Sequence, residues 1–220
     1  MAEVKLSYPA SGLTAPTSWG SKDSIKKMME NIYKNYGTYI DFVAKESNLP
    51  KEMIASFIAV ESGGNAKAGA SGHVTQGLMQ WNRTYAKDML EREKKEGRMT
   101  KAEQDKLASF GIKFDANGKT RVITNADQLK PELNILIGTM LLGQLTDTDW
   151  GTENGEIKLD RIIAVYNAGA YGDTGKKARS KAYKTPKDLA NAVNSVTSAY
   201  IKKILGSDGA LHLTKDVKIA

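Results

Sequence analysis

Apolar positions recur with a helical period along most of this chain. From Ser21 onward, Ile25, Met28, Met29, Ile32, Tyr33 and Tyr36 fall at i, i+3, i+4, i+7, i+8 and i+11, the stripe of an amphipathic helix with Ser21 or Asp23 as its N-cap. Gly37 is expected to break or bend it before Tyr39, Ile40, Phe42 and Val43 carry the pattern toward Asn48. Pro50 suits the first turn of a second helix, whose buried face is Ile54, Phe57 and Ile58 and which ends near Glu61. Gly63, Gly64, Gly69 and Gly72 then make a loop, with a short helical turn expected over 77–81. Positions 83–108 read as two exposed helices, with weak stripes at Tyr85, Met89 and Leu107 and a capping box at Thr100 and Glu103. The Asn117-Gly118 turn between Lys113-Phe114 and Arg121-Val122-Ile123 predicts a small β-hairpin. Pro131 opens a strongly apolar helix to about 145, Leu159 begins another through Ile162, Ile163 and Tyr166, and Thr185-Pro186 opens a last one toward Leu205.

Six to eight helices and at most one hairpin predict an all-α fold, α+β at most through that hairpin, and 220 residues suit a single globular domain. The expected division is a mobile arm over 1–20, punctuated by Pro9, Gly12, Pro16 and Gly20, a domain over 21–205 with an inserted segment at about 83–128, and a tail over 206–220. No internal repeat stands out. Composition agrees: 40% apolar and 26% charged residues exclude a wholly disordered chain and a collagen-like or coiled-coil rod.

Cysteine is absent, which removes disulfides, Cys-bearing zinc sites and thiol nucleophiles together. The net charge of +7 favours an anionic partner, whether nucleic acid, membrane surface or acidic wall polymer. The first twenty residues hold no apolar run of seven or more, so no secretory signal is read there, and the greasiest stretch, 135–142, is interrupted by Gly138 and Thr139; a soluble protein without membrane insertion is expected. A basic helix or an aromatic platform for nucleic acid is not evident.

Most catalytic chemistries fall by elimination. His73 and His212 lie far apart with no HExxH motif, so neither a metal site nor a cofactor is expected. Lys177 stands where a P-loop needs Ser or Thr, and Ser62 occupies no nucleophile elbow. What remains is Glu61, at i+7 from Ile54, i+4 from Phe57 and i+3 from Ile58, aimed along the face that must be buried. Burial without a cationic partner raises a carboxyl pKa, and an acid still protonated near neutrality can protonate a leaving oxygen. A Glu at a helix end also snorkels to solvent or pairs with a lysine, so this residue alone leaves both readings open.

Its context narrows them. Glu61-Ser62, then Gly77-Leu78-Met79-Gln80, then Ala164-Val165-Tyr166-Asn167-Ala168-Gly169 resemble, in content and order, the lytic transglycosylase and goose-type lysozyme superfamily. Pro131-Glu132-Leu133-Asn134-Ile135 followed by Gly138 resembles that family's intervening helix, and the likeness spans roughly 25–171. The resemblance implies a lysozyme-like fold with a peptidoglycan-binding groove and makes Glu61 the general acid and then base, with Ser62 beside it. It implies that Gly77, Leu78, Met79 and Gln80 line sugar subsites, Met79 against an apolar sugar face and Gln80 through its amide. Tyr166 would hydrogen-bond near the catalytic carboxyl, Asn167 would hold an acetamido or hydroxyl group, and Ala168 and Gly169 would complete the wall.

The resemblance also implies a reaction that needs only one carboxylate: the muramic acid's own C6 hydroxyl attacks C1, leaving a 1,6-anhydro end. Ordinary glycoside hydrolysis uses two carboxylates. One alternative is therefore a hydrolytic muramidase with a water-activating acid from the insertion, such as Asp88 or Glu91; another is a wall-binding virion component with a vestigial site. Three departures qualify the likeness. Trp81-Asn82 follows where the family has an apolar residue and Met-Pro, so Trp81 either stacks on a sugar or is core; Met140 stands for an aromatic residue; and the span from Gln80 to Pro131 is long. Its mixed charges favour a solvated excursion over a lid, a subsite wall or a partner surface. Six basic residues over 176–187 either steer anionic peptidoglycan or form a solvated loop. The expected partners are glycan strands and, with no signal peptide read, phage virion proteins, in the setting of a phage endolysin or virion lysin.

Overall fold

The computed structural model describes residues 5–6, 12–70 and 72–214. Helix α1 (Lys22–Ser47) is capped by Ser21, whose hydroxyl accepts the Ser24 N–H, and buries Ile25, Met29, Ile32, Tyr33, Ile40 and Val43. It runs unbroken through Gly37: a mid-helix glycine costs only about 1 kcal/mol, and the buried stripe on either side holds the register. Helix α2 (Lys51–Ser62) follows with Pro50 as N-cap and buries every residue from 53 to 59.

A short antiparallel pair, β2 (Thr75–Gln76) and β3 (Trp81–Asn82), leads to α3 (Arg83–Lys95), α4 (Lys101–Ser109) and the single turn α5 (Asn125–Gln128). Helix α6 (Pro131–Thr146) is buried on all sides from 133 to 142, as a helix apolar around its whole circumference must be, and packs against α1, α3, α5 and α7 (Leu159–Ala168). Helices α8 (Asp173–Arg179), α9 (Pro186–Ala192), α10 (Ser195–Leu205) and α11 (Ala210–Leu213) complete the chain. The small strands β4 (Thr152–Glu153) and β5 (Glu156–Ile157) pair antiparallel, and β1 (Lys5–Leu6) adds to β5 in parallel. The fold is mostly α, as expected, and no helix among the described residues is long and apolar enough to cross a membrane.

Several local expectations need correction. The helical turn expected over 77–81 is instead the turn 77–80 between β2 and β3, with Trp81 already in β3, because Gly77 (φ 82°) and Gln80 (φ 46°) both take left-handed backbone. The hairpin expected near Asn117 shrinks to one bridge, Phe114 with Thr120. Side chains hold that loop instead: Glu91 accepts the Thr120 N–H at 3.1 Å, and Arg121 donates to the Phe110 and Gly111 carbonyls while pairing with Asp127. The last predicted helix is two, since Val193 is extended and Asn194 caps α10 afresh by accepting the Thr197 N–H at 2.8 Å.

The inserted helices are not merely a solvated excursion. Ala86, Met89, Leu90 and Leu107 are fully buried, and Arg92–Gln144 and Lys106–Glu132 tie them to α6. Parts of the segments set apart as arm and tail are packed on the domain. Leu13 is buried with its carbonyl accepting the Ser207 N–H at 2.9 Å, and Ala210, Leu211 and Leu213 are buried on α11, which packs against α1 and α2. The remainder of both segments lies outside the described residues.

Candidate active site

Helix α2 ends in left-handed Gly63 (φ 61°), which places Glu61 on its last turn, one turn beyond the fully buried Phe57. Two tyrosines from distant elements pack on Phe57: Tyr166 of α7 edge-on at 4.9 Å between ring centroids, and Tyr200 of α10 at 6.3 Å. The Tyr200 hydroxyl donates to Glu61 Oε1 at 2.5 Å. Glu61 is half-buried. That burial pushes its carboxyl from 4.5 to about 7, against the opposing pull of the Tyr200 hydrogen bond and the positive charge of Lys203. Burial and the neighbouring Glu61 charge push both phenols well above their usual 10, so each remains a donor at neutral pH.

The turn over 77–80 is bolted between two helices. Asn134 of α6 accepts the Met79 N–H at 2.7 Å and donates to the Gln76 and Gln128 carbonyls at 2.9 and 2.7 Å. From the other side the Tyr166 hydroxyl donates to the Met79 carbonyl at 2.8 Å. Gly77 is required here: a Cβ would stand 2.3 Å from both Asn134 Nδ2 and the Gln128 carbonyl. Gly138 is required likewise, since a Cβ there would meet Met79 Sδ at 2.4 Å.

This geometry corrects part of the expected site. Leu78 and Met79 are fully buried, so their side chains face the core and not a sugar. Tyr166 lies close enough to Glu61 to feel its charge but gives its hydrogen bond to the Met79 carbonyl, and the hydroxyl on the carboxyl itself is that of Tyr200. The Gln80 amide is spent on its own loop, donating to the Ala68 and Gly77 carbonyls at 3.1 and 2.7 Å. Ser62 closes the helix end, its hydroxyl donating to the Ile58 carbonyl at 3.1 Å and accepting the Gly64 N–H at 3.2 Å. Trp81 is core, with its indole N–H on the Asn134 carbonyl at 2.9 Å. Asn167 accepts the Thr197 hydroxyl at 2.9 Å and, with Ala168, borders a pocket of about 310 Å³.

A larger cleft of about 580 Å³ starts at Tyr166, Val165 and Gly169 and runs over Leu141 and Leu145 of α6. Gln80 and Trp81 of the turn and, from the insertion, Thr84, Tyr85 and Asp88 of α3 also line it. Glu91, one turn on, is no free base. Burial opposes its ionisation, yet Lys119 (2.8 Å), Lys87 and the Thr120 N–H hold it as carboxylate with a pKa of about 2.

Tyr166 thus links the 77–80 turn, through the Met79 carbonyl, to Phe57 on the helix that carries Glu61. Tyr200, Lys203 and Asn134 were not singled out as site residues from the sequence. Tyr200 and Lys203 share a face of α10 at i and i+3, a spacing with no signal until α10 is known to meet α2; Asn134 did have one, as an amide set among the apolar residues Leu133, Ile135, Leu136 and Ile137. A family model described as "Transglycosylase SLT domain" matches residues 38–191, well over half of the chain, from within α1 to within α9 and short of Tyr200. No curated protein matches the chain.

Proposed function

Given that the chain belongs to the transglycosylase SLT domain family, whose function is peptidoglycan degradation of the lytic transglycosylase type, we propose that it cleaves the β-1,4 bond between MurNAc and GlcNAc with Glu61 as general acid and then base. The observation that carries this reading is a half-buried carboxyl near pKa 7, with a tyrosine hydroxyl fixed at 2.5 Å on one of its oxygens. Tyr200 donates to Oε1, so the acid proton resides on Oε2 and faces the glycosidic oxygen. As the C1–O4 bond breaks, that proton passes to O4. The carboxylate then takes the proton of the C6 hydroxyl while O6 bonds to C1, which returns Glu61 to its acid form and closes the 1,6-anhydro ring.

Burial serves both halves of this cycle, because a group with a pKa near the working pH gives up and regains a proton at little cost. The attack is intramolecular, so the protein's task is to hold the sugar and keep water out. Tyr200 and Lys203 favour the carboxylate that the second half needs and keep burial from raising the pKa further.

A second reading has one observation in its favour: Asp88 lines the cleft, where it could activate water for hydrolysis. Mass spectrometry of muropeptides decides between them, since an anhydro end lacks one water relative to a hydrolysed end. Loss of all products with Glu61→Gln supports Glu61 in the acid role; undiminished products would exclude it. Family membership carries the wall substrate and not the phage setting.

A further inference from the structure

The insertion sorts its charges by depth. Between 83 and 128 the sequence holds eleven bases and eight acids, a mixture with no evident polarity. In the fold four of those acids, Glu91, Glu93, Glu103 and Asp127, are buried, and none of the bases is. Acids turned inward and bases left in water give the segment a cationic surface that composition conceals. We infer that this surface carries a second, non-catalytic binding face, which holds the free carboxylates of peptide stems on a neighbouring wall strand, a step that rests on the peptidoglycan reading above.

The face is centred on a recess of about 200 Å³ between the end of α3, α4 and the 112–114 segment. Lys94, Lys101 and Lys113 line it against a single carboxylate, Asp105, which is already paired with Lys101. Lys94 donates to the neutral Gln104 side chain at 2.6 Å and stands 6.0 Å from the centroid of the Phe114 ring, so it is held in place without being neutralised. Lys95 follows it, and both Lys95 and Lys113 are exposed. None of these three, Lys94, Lys95 and Lys113, forms an ion pair among the described residues. The 115–119 loop closes one side: Gly118 packs against Lys94 and Lys95, and Asp115 turns its carboxylate onto the Asn117 and Lys119 N–H groups, both at 2.8 Å.

Size, charge and position choose the occupant. The recess is smaller than the roughly 300–1,000 Å³ of small-molecule sites, so it takes one charged group and not a whole ligand. Lysines are point charges on flexible stems, which suits carboxylates arriving on a mobile peptide. Lys94 lies nine residues beyond Tyr85, which on a helix is half a turn round and about 13 Å further along, so the two project from opposite sides of α3. A group held beside Lys94 therefore belongs to a different strand from one in the cleft that Tyr85 lines. Stem carboxylates are present wherever the substrate is, whereas a phosphate polymer is a separate component of the wall. Holding them keeps the protein on the wall between cleavages.

The test is co-sedimentation of the Glu61→Gln protein with insoluble wall sacculi, stripped of phosphate polymers by hydrofluoric acid. Lys94→Gln/Lys95→Gln/Lys113→Gln is expected to bind about ten-fold more weakly at low ionic strength, a difference that high salt erases. Converting the sacculus carboxylates to amides with carbodiimide and ethanolamine is expected to lower the parent to the level of that variant. Lys176→Gln/Lys184→Gln/Lys187→Gln removes the same charge elsewhere and is expected to stay within about two-fold of the parent. Because Lys94 touches Gln104 and Phe114, Lys113→Glu, at an exposed position, gives a second variant free of folding effects, expected to bind about three-fold more weakly. Equal weakening by the two triple variants, or parent binding that survives amidation, overturns the inference. Binding only to sacculi that keep their phosphate polymers overturns it in favour of a phosphodiester partner. A parent that does not sediment at low salt also overturns it, while the muropeptide products of wild type and Glu61→Gln still decide the catalytic reading.

Discussion

Glu61→Gln is expected to abolish turnover and, at the same time, to stabilise the fold at alkaline pH. The folded protein holds the Glu61 proton between pH 4.5 and about 7 while the unfolded chain releases it, so stability falls as pH rises through that window and levels off above it. At 1.36 kcal/mol per tenfold change, moving the carboxyl from 4.5 to about 7 costs up to about 3 kcal/mol of stability once it is ionised. Partial access to solvent lowers that to about 2 kcal/mol between pH 5 and pH 8. The amide carries no charge at either pH and keeps an oxygen for the Tyr200 hydroxyl. Relative to the wild type, the variant should therefore gain about 2 kcal/mol more at pH 8 than at pH 5. For a domain of this size that is a Tm difference wider by about 4–8 °C, read by thermal melts in matched buffers. Over the same range the wild-type rate should fall as pH passes 7 and the acid form is lost, and the variant should be slower by at least about 100-fold at pH 6. Parallel melting curves for the two proteins from pH 5 to 8 would falsify the claim that the fold disfavours the ionised carboxyl, and the acid role would lose its physical basis.

Tyr200→Phe removes the hydrogen bond that favours the Glu61 carboxylate, and Lys203→Met removes the nearby positive charge; each should move the alkaline limb of kcat/KM to higher pH, measured on solubilised glycan strands. Asn134→Leu strands the Met79 N–H and two carbonyls in the core and should cost about 2–5 kcal/mol in urea unfolding. Gly77→Ala should destabilise by more than about 2 kcal/mol in the same assay, since the backbone is left-handed and no space exists for the methyl group. Glu91→Gln should retain turnover while losing stability at neutral pH, because its folded-state pKa lies below 4.5; the difference should vanish as pH falls toward 2. Lost turnover in a folded Glu91→Gln protein would return that residue to the list of possible bases.

The fold was legible where one helix face decides it. The stripe from Ile25 to Tyr36 and the apolar helix opened by Pro131 appear nearly where the periodicity places them, because burial of a face depends on spacing along one element. The turn over 77–80 was misread because its four residues carry no period, and its conformation is set by Asn134 and Tyr166 from elsewhere in the chain. For the same reason Met79 was expected at a sugar: a motif shows that a residue matters and not which way its side chain points. Met79 matters through its backbone, pinned on both sides.

The sequence by itself determined the helical class, the charge, the absence of thiol chemistry and the placement of an acid on the buried side of a short helix. Only the tertiary structure decided what surrounds that acid. Tyr200 is 139 residues away from Glu61, and the insertion supplies a cleft wall rather than a free excursion. Periodicity records which face of an element turns inward, whereas a pKa, a hydrogen-bond partner and a cleft depend on which faces meet, and that is settled only when the whole chain packs.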